Sequence, residues 1–270
     1  MHETKAASWI EFETWLELID SERRRLGTLT GLHVSPPLYR GHADATWKLE
    51  TTLERQYPTC TEAVEYYRRA LEAKDQIEAH TGRSWTPKTL PDYENFVEAS
   101  RMHSPPDSAT LEYLAYLRHH SFPSPLLDWS QSPYIAAYFA MGSATARADR
   151  VAIYAFVEHA GYGKGTTSAS PAIHSIGSSI RAHKRHFLQQ SEYTYCVIRR
   201  NGEWHYASHE SAIDIGHGQS QDLIWRFTLP ASERSAVIRQ LDRFNLNAYS
   251  LLGSEESLME TVAFRVFGGR

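Results

Sequence analysis

Two adjacent histidines, an Asp-Trp pair and two serines two positions apart crowd the segment LRHHSFPSPLLDWSQSPYIAAYFA, Leu117–Ala140, just where an apolar helix begins. Neighbouring residues point about 100° apart on a helix and to opposite faces of a strand, so His119 and His120 are poorly placed to share a metal ion. This segment has no HxxxH spacing, and a zinc site needs three or four ligands. His183 and His186 could share a helix face, but RAHKRHF supplies no neighbouring carboxylate. No metal is therefore expected, and one of His119 and His120 reads as a hydrogen-bonding group in a polar cleft. Ser130 and Ser132 would share a face on extended backbone and could position a ligand hydroxyl or carboxylate. Helix capping alone also accounts for Ser132.

Arg40, next to Gly41 in a strand-like run, poses a sharper problem. A guanidinium emerging there is expensive to bury without a partner. That partner is either a structural carboxylate such as Asp128 or the phosphates of a ligand. Glu255 and Glu256 open a helix after LLGS, where negative charge is favourable by itself and Ser254 can cap. The functional alternative is a carboxylate that stabilises an oxocarbenium-like transition state. GYGKGT (161–166) lacks Walker A spacing, and neither GxGxxG nor GxSxG occurs, which disfavours P-loop, Rossmann and hydrolase-elbow chemistry.

The elements that must carry these groups follow from periodicity. SWIEFETWLELIDSERRR (8–25) predicts a helix opened by a Ser8/Glu11 capping box, with Trp9, Phe12, Leu16 and Ile19 on one face. LYRGHADATWKLETTL (38–53) reads as short strand-like runs around a glycine turn. Helices are expected at 61–80, with Val64, Tyr67, Leu71 and Ile77 in one stripe, and at 91–103 and 108–119. Ser132 and Pro133 mark the start of a helix running to Gly142. Strands are expected at 151–158, 193–199, 203–208 and 223–229, and helices at 234–244 and 256–263. GYGKGTTSASP (161–171) reads as a polar loop. A helix-rich first half and a strand-rich second half predict one α+β domain.

Composition sets the outer bounds. Among 270 residues the hydrophobic fraction is 41% and the formal charge is −4. These are ordinary globular values with no global field for nucleic acid. Cys60 and Cys196 form no CxxC pair or disulfide framework, which with the absence of a signal-peptide pattern points to a cytoplasmic location. No segment approaches the ~20 apolar residues of a membrane span, so no membrane partner is expected. The aromatic fraction of 12% fits either a well-packed core or a cleft that stacks a base.

YRGHADATWKLETTLER followed by RHHSFPSPLLDWSQSPYIAAYFA resembles the FRG domain family, named for a Phe/Tyr-Arg-Gly signature with a Trp-Lys-Leu element behind it. Its second motif is similar to Gln-His-x-Gly-x-Pro-Thr-x-Leu-Leu-Asp-Trp-Thr followed by an apolar helix. Tyr39-Arg40-Gly41, Trp47, His119, Pro123, Leu126, Leu127, Asp128, Trp129 and Tyr138-Phe139-Ala140 match. KRHFLQQSEYTYC, with Arg185 and Gln189 in place, resembles a third element, and NAYSLLGSEESLMETVAF the closing one. The resemblance spans residues 38–264 and leaves 1–37 as a helical extension within one domain. Tyr39 stands for Phe, Ser121 where Gly is common, and Pro125 where Arg is frequent, so an anion contact from that Arg is lost.

The motif order is similar to that of ADP-ribosyltransferases with an Arg–Ser–Glu arrangement, and the resemblance implies a strand-rich core of that kind. It implies NAD as co-substrate, with Arg40, beside Tyr39 and Gly41, supporting the phosphates. Ser130 and Ser132 would position the nicotinamide ribose, and His119 and Asp128 would hold the cleft, Asp128 ordering His119 or Arg40. Trp129 or Tyr138 would flank the ring, with Arg185 and Gln189 completing the binding set. Glu256 or Glu255 would stabilise positive charge at the anomeric carbon. Glu192, in a QSE resembling that group's Gln-x-Glu, competes for the role. The implied activity is transfer of ADP-ribose to a protein or nucleic-acid acceptor, as in a toxin or phage-defence effector. Two rivals stand beside it: a non-catalytic nucleotide-sensing module, and a nucleic-acid-directed effector using the basic runs RAHKRHF and DSERRRL.

Overall fold

The computed structural model describes residues 1–99, 102, 105–142, 148–162, 170–177, 184–214 and 221–268. The first half supplies β1 (His2–Lys5), α1 (Glu11–Thr30), β2 (Leu38–His42), α2 (Thr52–Gln56), α3 (Ala63–Thr81), α4 (Leu90–Glu98) and α5 (Ser108–His119). Then come β3 (Leu127–Ser130), α6 (Pro133–Gly142), β4 (Arg150–His159), β5 (Ala172–Ser175), α7 (Lys184–Leu188), β6 (Ser191–Arg200) and β7 (Glu203–Tyr206). The chain closes with α8 (His209–Asp214), β8 (Gln221–Pro230), α9 (Arg234–Arg243), α10 (Ala248–Leu252) and α11 (Glu255–Phe267). The class is α+β, built on one eight-stranded sheet ordered β1-β8-β4-β2-β3-β6-β5, with β7 paired to β6.

Strand alternation sorts the core. On β4, Val151, Ile153, Ala155 and Val157 face a cluster built with α1, α6 and α9, while Ala152, Tyr154 and Phe156 face the opposite cluster with Leu127, Trp129 and Ile173. A strand covered on both faces reads as a continuous apolar run, as VAIYAFV does. The helices α3, α4 and α5 form a third cluster against β6 and β7, and Tyr67, Val64, Leu71 and Ile77 take part in it as their spacing predicts.

Three local expectations need correction. The helix expected from Ser8 begins at Glu11: the Glu11 carboxylate accepts from the Ala7 and Ser8 amides, but no side chain caps the helix. Only the glutamate half of the capping box forms. Gly41 is no turn residue; it lies inside β2, paired with Ile153. A Cβ there would collide with the Ala136 carbonyl oxygen and stand 2.6 Å from the Ala140 nitrogen. Glycine is required because α6 passes directly over the strand, and this approach fixes the distance between the Arg40 strand and the helix behind Ser132. The helix expected at 91–103 ends at Glu98, with 100, 101, 103 and most of the 161–171 loop outside the described residues.

Gly41→Ala must therefore push α6 off the sheet. Overpacking of this kind costs about 3 kcal/mol. Urea denaturation should show a lower midpoint with an unchanged slope; a midpoint equal to that of the native chain would mean that α6 is free to move.

Candidate functional site

Strands β2 and β3 share one register pair, Tyr39 opposite Ser130. Beside this pair lies a cavity of about 280 Å³ lined by Tyr39, Arg40, Gly41, Ala43, Trp47, His119, Asp128, Trp129, Ser130, Ala136, Phe139, Gln189 and Ser191. The two motif segments, 80 residues apart in the chain, thus meet at one place. Arg40 donates from Nη1 to the Asp128 carbonyl (2.5 Å) and from Nε to His42 Nε2 (3.1 Å). Both acceptors are neutral. Burial lowers the Arg40 pKa to about 10, with Asp128 countering and Arg118 and Arg55 adding to the fall, so the side chain is still cationic at neutral pH.

The partner expected for Arg40 is corrected here. The Asp128 carboxylate pairs with Arg118, the Oδ2 oxygen 2.5 Å from Nη2, and orders neither Arg40 nor His119. Arg118 sits one residue before His119 on α5, whereas Arg40 leaves β2 toward the Asp128 backbone. His119 Nε2 instead lies 2.5 Å from the Tyr193 hydroxyl.

Burial pushes the His42 pKa down to about 3, with the Arg40 charge acting in the same direction. A neutral imidazole that accepts at Nε2 carries its proton on Nδ1. Arg40 therefore depends on His42 staying uncharged. Burial likewise raises the Tyr39 phenol above its ordinary range, so it stays protonated.

The serines divide. Ser130 is buried, donates to the Gln189 carbonyl (2.8 Å) and accepts from the Ser132 amide (3.1 Å). Ser132 does not line the cavity; its oxygen accepts from the Ile135 amide at 3.4 Å, a helix cap. Tyr138 also lies elsewhere, packed against Gly142 and Arg234 on the far side of α6. The cavity face of that helix is Ala136 and Phe139, one turn apart. Trp129 lines the wall but is buried, its indole donating to Thr194 Oγ1 at 2.7 Å. The exposed ring is Trp47, at 49% exposure, which the sequence singled out as a motif match but not as a site residue. Its loop is anchored by Arg226 on the Ala45 carbonyl and by Glu210 on the Leu49 amide.

None of the proposed glutamates lines the cavity. Glu192 pairs in register with Trp129 and so points to the sheet face opposite Ser130 and Ser191. There it accepts from Gln131 and lines a separate pocket with Glu158, and burial raises its pKa. Glu255 and Glu256 are exposed in the first turn of α11, where a hydrogen bond from Ser254 holds the Glu256 pKa low. Arg185 does not line the cavity either: its Nε donates to the Leu252 carbonyl. Gln189, which does, donates to the Leu251 carbonyl, so α10 abuts the cavity wall. His183 lies outside the described residues. No group of three or more metal-ligating side chains occurs among the described residues, and none of the described helices is long and apolar enough to cross a membrane.

The FRG domain family model matches residues 35–149, from the approach to β2 up to the start of β4. That stretch contains Tyr39, Arg40, Gly41, Trp47, His119, Asp128, Trp129 and Ser130, all on the cavity wall, but neither β6 nor α11. No curated protein and no solved structure matches the chain.

His42 makes acid stability a reporter of this site. Its imidazole takes a proton near pH 6.5 when unfolded and at about 3 when folded. The unfolded state binds more protons between these values, so stability is full above pH 6.5 and falls as the pH drops toward 3, by on the order of a few kcal/mol. In His42→Gln the amide oxygen can still accept from Arg40 but does not titrate. Thermal unfolding followed from pH 7 to pH 4 should show a shallower acid loss in this variant; parallel curves would place the His42 pKa near its ordinary value.

Proposed function

We propose that the cavity binds a dinucleotide of the NAD class and that the chain is an ADP-ribosyltransferase-like enzyme acting on a protein or nucleic-acid acceptor. The observation that carries this reading is Arg40: a half-buried, cationic guanidinium whose hydrogen-bond acceptors are neutral, on the wall of a cavity that also presents His119, Asp128 and Ser130. A phosphate oxygen there would gain a charge-assisted hydrogen bond without displacing an ion pair. Trp47 and Phe139 supply flat apolar surface for a ring. Cleavage of the glycosidic bond leaves positive charge on the ribose, which a fixed carboxylate can stabilise without a metal. Asp128 is the carboxylate that already faces the cavity. Contact between Gln189 and α10 places the closing element at the same wall, which keeps Glu256 as the glutamate to test.

Two observations favour a non-catalytic nucleotide sensor instead: among the described residues no glutamate lines the cavity, and Asp128 is engaged with Arg118. The two readings share the binding step and part at turnover.

Nicotinamide release from NAD, with and without a cell lysate supplying acceptors, separates them. Arg40→Ala should weaken NAD binding roughly 10- to 100-fold in calorimetry, the value of one or two charge-assisted hydrogen bonds. Turnover that requires lysate and disappears in Glu256→Gln supports the transferase. Binding without turnover supports the sensor, and neither binding nor turnover would leave the cavity a structural polar cluster.

A further inference from the structure

We propose that Trp47 fixes which way round the ligand lies: its indole stacks on the adenine ring, Arg40 holds the adjoining phosphates, and the glycosidic bond to nicotinamide lies beyond them. The proposal rests on the nucleotide reading above and orients the ligand within that same cavity. Trp47 is half exposed yet lines the cavity.

The parity of β2 divides this cavity in two. Side chains alternate along a strand, so Arg40 and His42 point to one face of the sheet, and Tyr39 and Gly41 to the other. On the first face lies the cluster that contains Leu49, Trp129 and Tyr154, with Ala45 packed against it. Trp47 comes from the same loop as Ala45 and Leu49, and its ring centroid is 6.2 Å from that of His42. His42 accepts from Arg40 Nε, so a single imidazole links the indole to the guanidinium. On the second face α6 passes over Gly41 and brings Phe139 to the cavity. Ser130 pairs with Tyr39 and so shares this second face, as does Asp128 two positions before it. An aromatic surface thus stands on each side of the Arg40 strand. The sequence ring, cation, ring matches the base, phosphates and base of a dinucleotide.

Charge then assigns the ends. The pyridine ring of NAD carries a positive charge, whereas adenine is neutral at pH 7. A carboxylate favours the charged ring and a guanidinium disfavours it. The cavity carboxylate, Asp128, lies with Ser130 and Phe139, and the cation Arg40 lies with Trp47. The neutral base therefore belongs on Trp47. The indole is also held in place before a ligand arrives. The Ala45 amide donates to the Arg150 carbonyl at 2.8 Å, Arg226 reaches the Ala45 carbonyl, and the Leu49 amide donates to Glu210 at 3.1 Å. Asp44 Oδ1 accepts from the Thr46 amide at 2.8 Å, and Leu49 is fully buried beneath the loop. A platform fixed in this way binds a ring at little cost in ordering.

Calorimetry with NAD, AMP and nicotinamide mononucleotide tests the orientation. Trp47→Ala should weaken NAD and AMP by the same factor, about 10- to 100-fold, the value of one base stacked on an aromatic side chain. Nicotinamide mononucleotide should bind this variant as tightly as it binds the native chain, which also shows that the cavity is intact. Trp47→Phe should recover most of the lost affinity, because a smaller ring still stacks. Unchanged NAD and AMP affinities in Trp47→Ala would overturn the platform and leave the nucleotide site standing. So would a loss for NAD and nicotinamide mononucleotide with AMP unaffected, which would put the pyridine ring on Trp47. A native chain that binds none of the three overturns both the orientation and the nucleotide reading.

Discussion

A half-buried guanidinium held by neutral acceptors is the constraint around which the rest of this site is arranged. Arg40 leaves β2 where β2 and β3 share only one register pair, and it reaches the Asp128 carbonyl across the gap. Burying such a charge is unfavourable unless its donors are matched. Here one donor is matched by a backbone oxygen and one by an imidazole that is itself held neutral by burial. Neither acceptor cancels the charge. The Asp128 carboxylate, the nearest candidate to do so, is drawn away by Arg118. Asp128 still offsets the Arg40 charge through space, but without a direct ion pair.

The sheet then decides which chemistry shares that cavity. Alternation along β3 and β6 sends Ser130 and Ser191 to one face, and Glu192 to the other beside Glu158. Two hydroxyls and a glutamate consecutive or adjacent in the ladder are thus separated by the thickness of the sheet. The close passage of α6 over Gly41 sets the depth of the cavity and brings Phe139, rather than Tyr138, to its wall. Hydrogen bonds from Ser130 to Gln189 and from Gln189 to Leu251 tie β3 to α10 across the start of β6. The polar groups of this wall are held by one another before any ligand arrives, which is the arrangement that electrostatic preorganisation requires.

Much of this was legible in the sequence because it depends on period. The alternating or continuous apolar runs marked β4, β6 and β8, and helical spacing marked α3 and α5. Arg40 was legible as a cation in need of a partner. Its acceptors were not, since a backbone carbonyl leaves no trace in residue type. The α6 segment is apolar on every face, so its sequence could not say whether Tyr138 or Phe139 faces the cavity. The parity of Ser191 and Glu192 was visible, but assigning each to a face required the register with β3. Trp47 carried a signal that went unused: a large aromatic in a polar stretch, half exposed in the fold.

The segment from Leu117 to Ala140 carries a network of contacts whose members also line the cavity. Arg118 engages Asp128, Asp128 presents its carbonyl to Arg40, His119 meets Tyr193, and Ser130 and Ser132 support the start of α6. Each contact has a structural explanation on its own. What those contacts do not explain is their distribution of charge. A cluster that served only to stabilise the fold would be expected to pair Arg40 with the Asp128 carboxylate, since Arg40 already donates to the Asp128 backbone carbonyl. Pairing Asp128 with Arg118 keeps a second cation nearby, and Asp128 offsets the Arg40 charge through space rather than by a direct ion pair. Under the proposed function, an anion supplied from outside would complete this arrangement with a charge-assisted hydrogen bond.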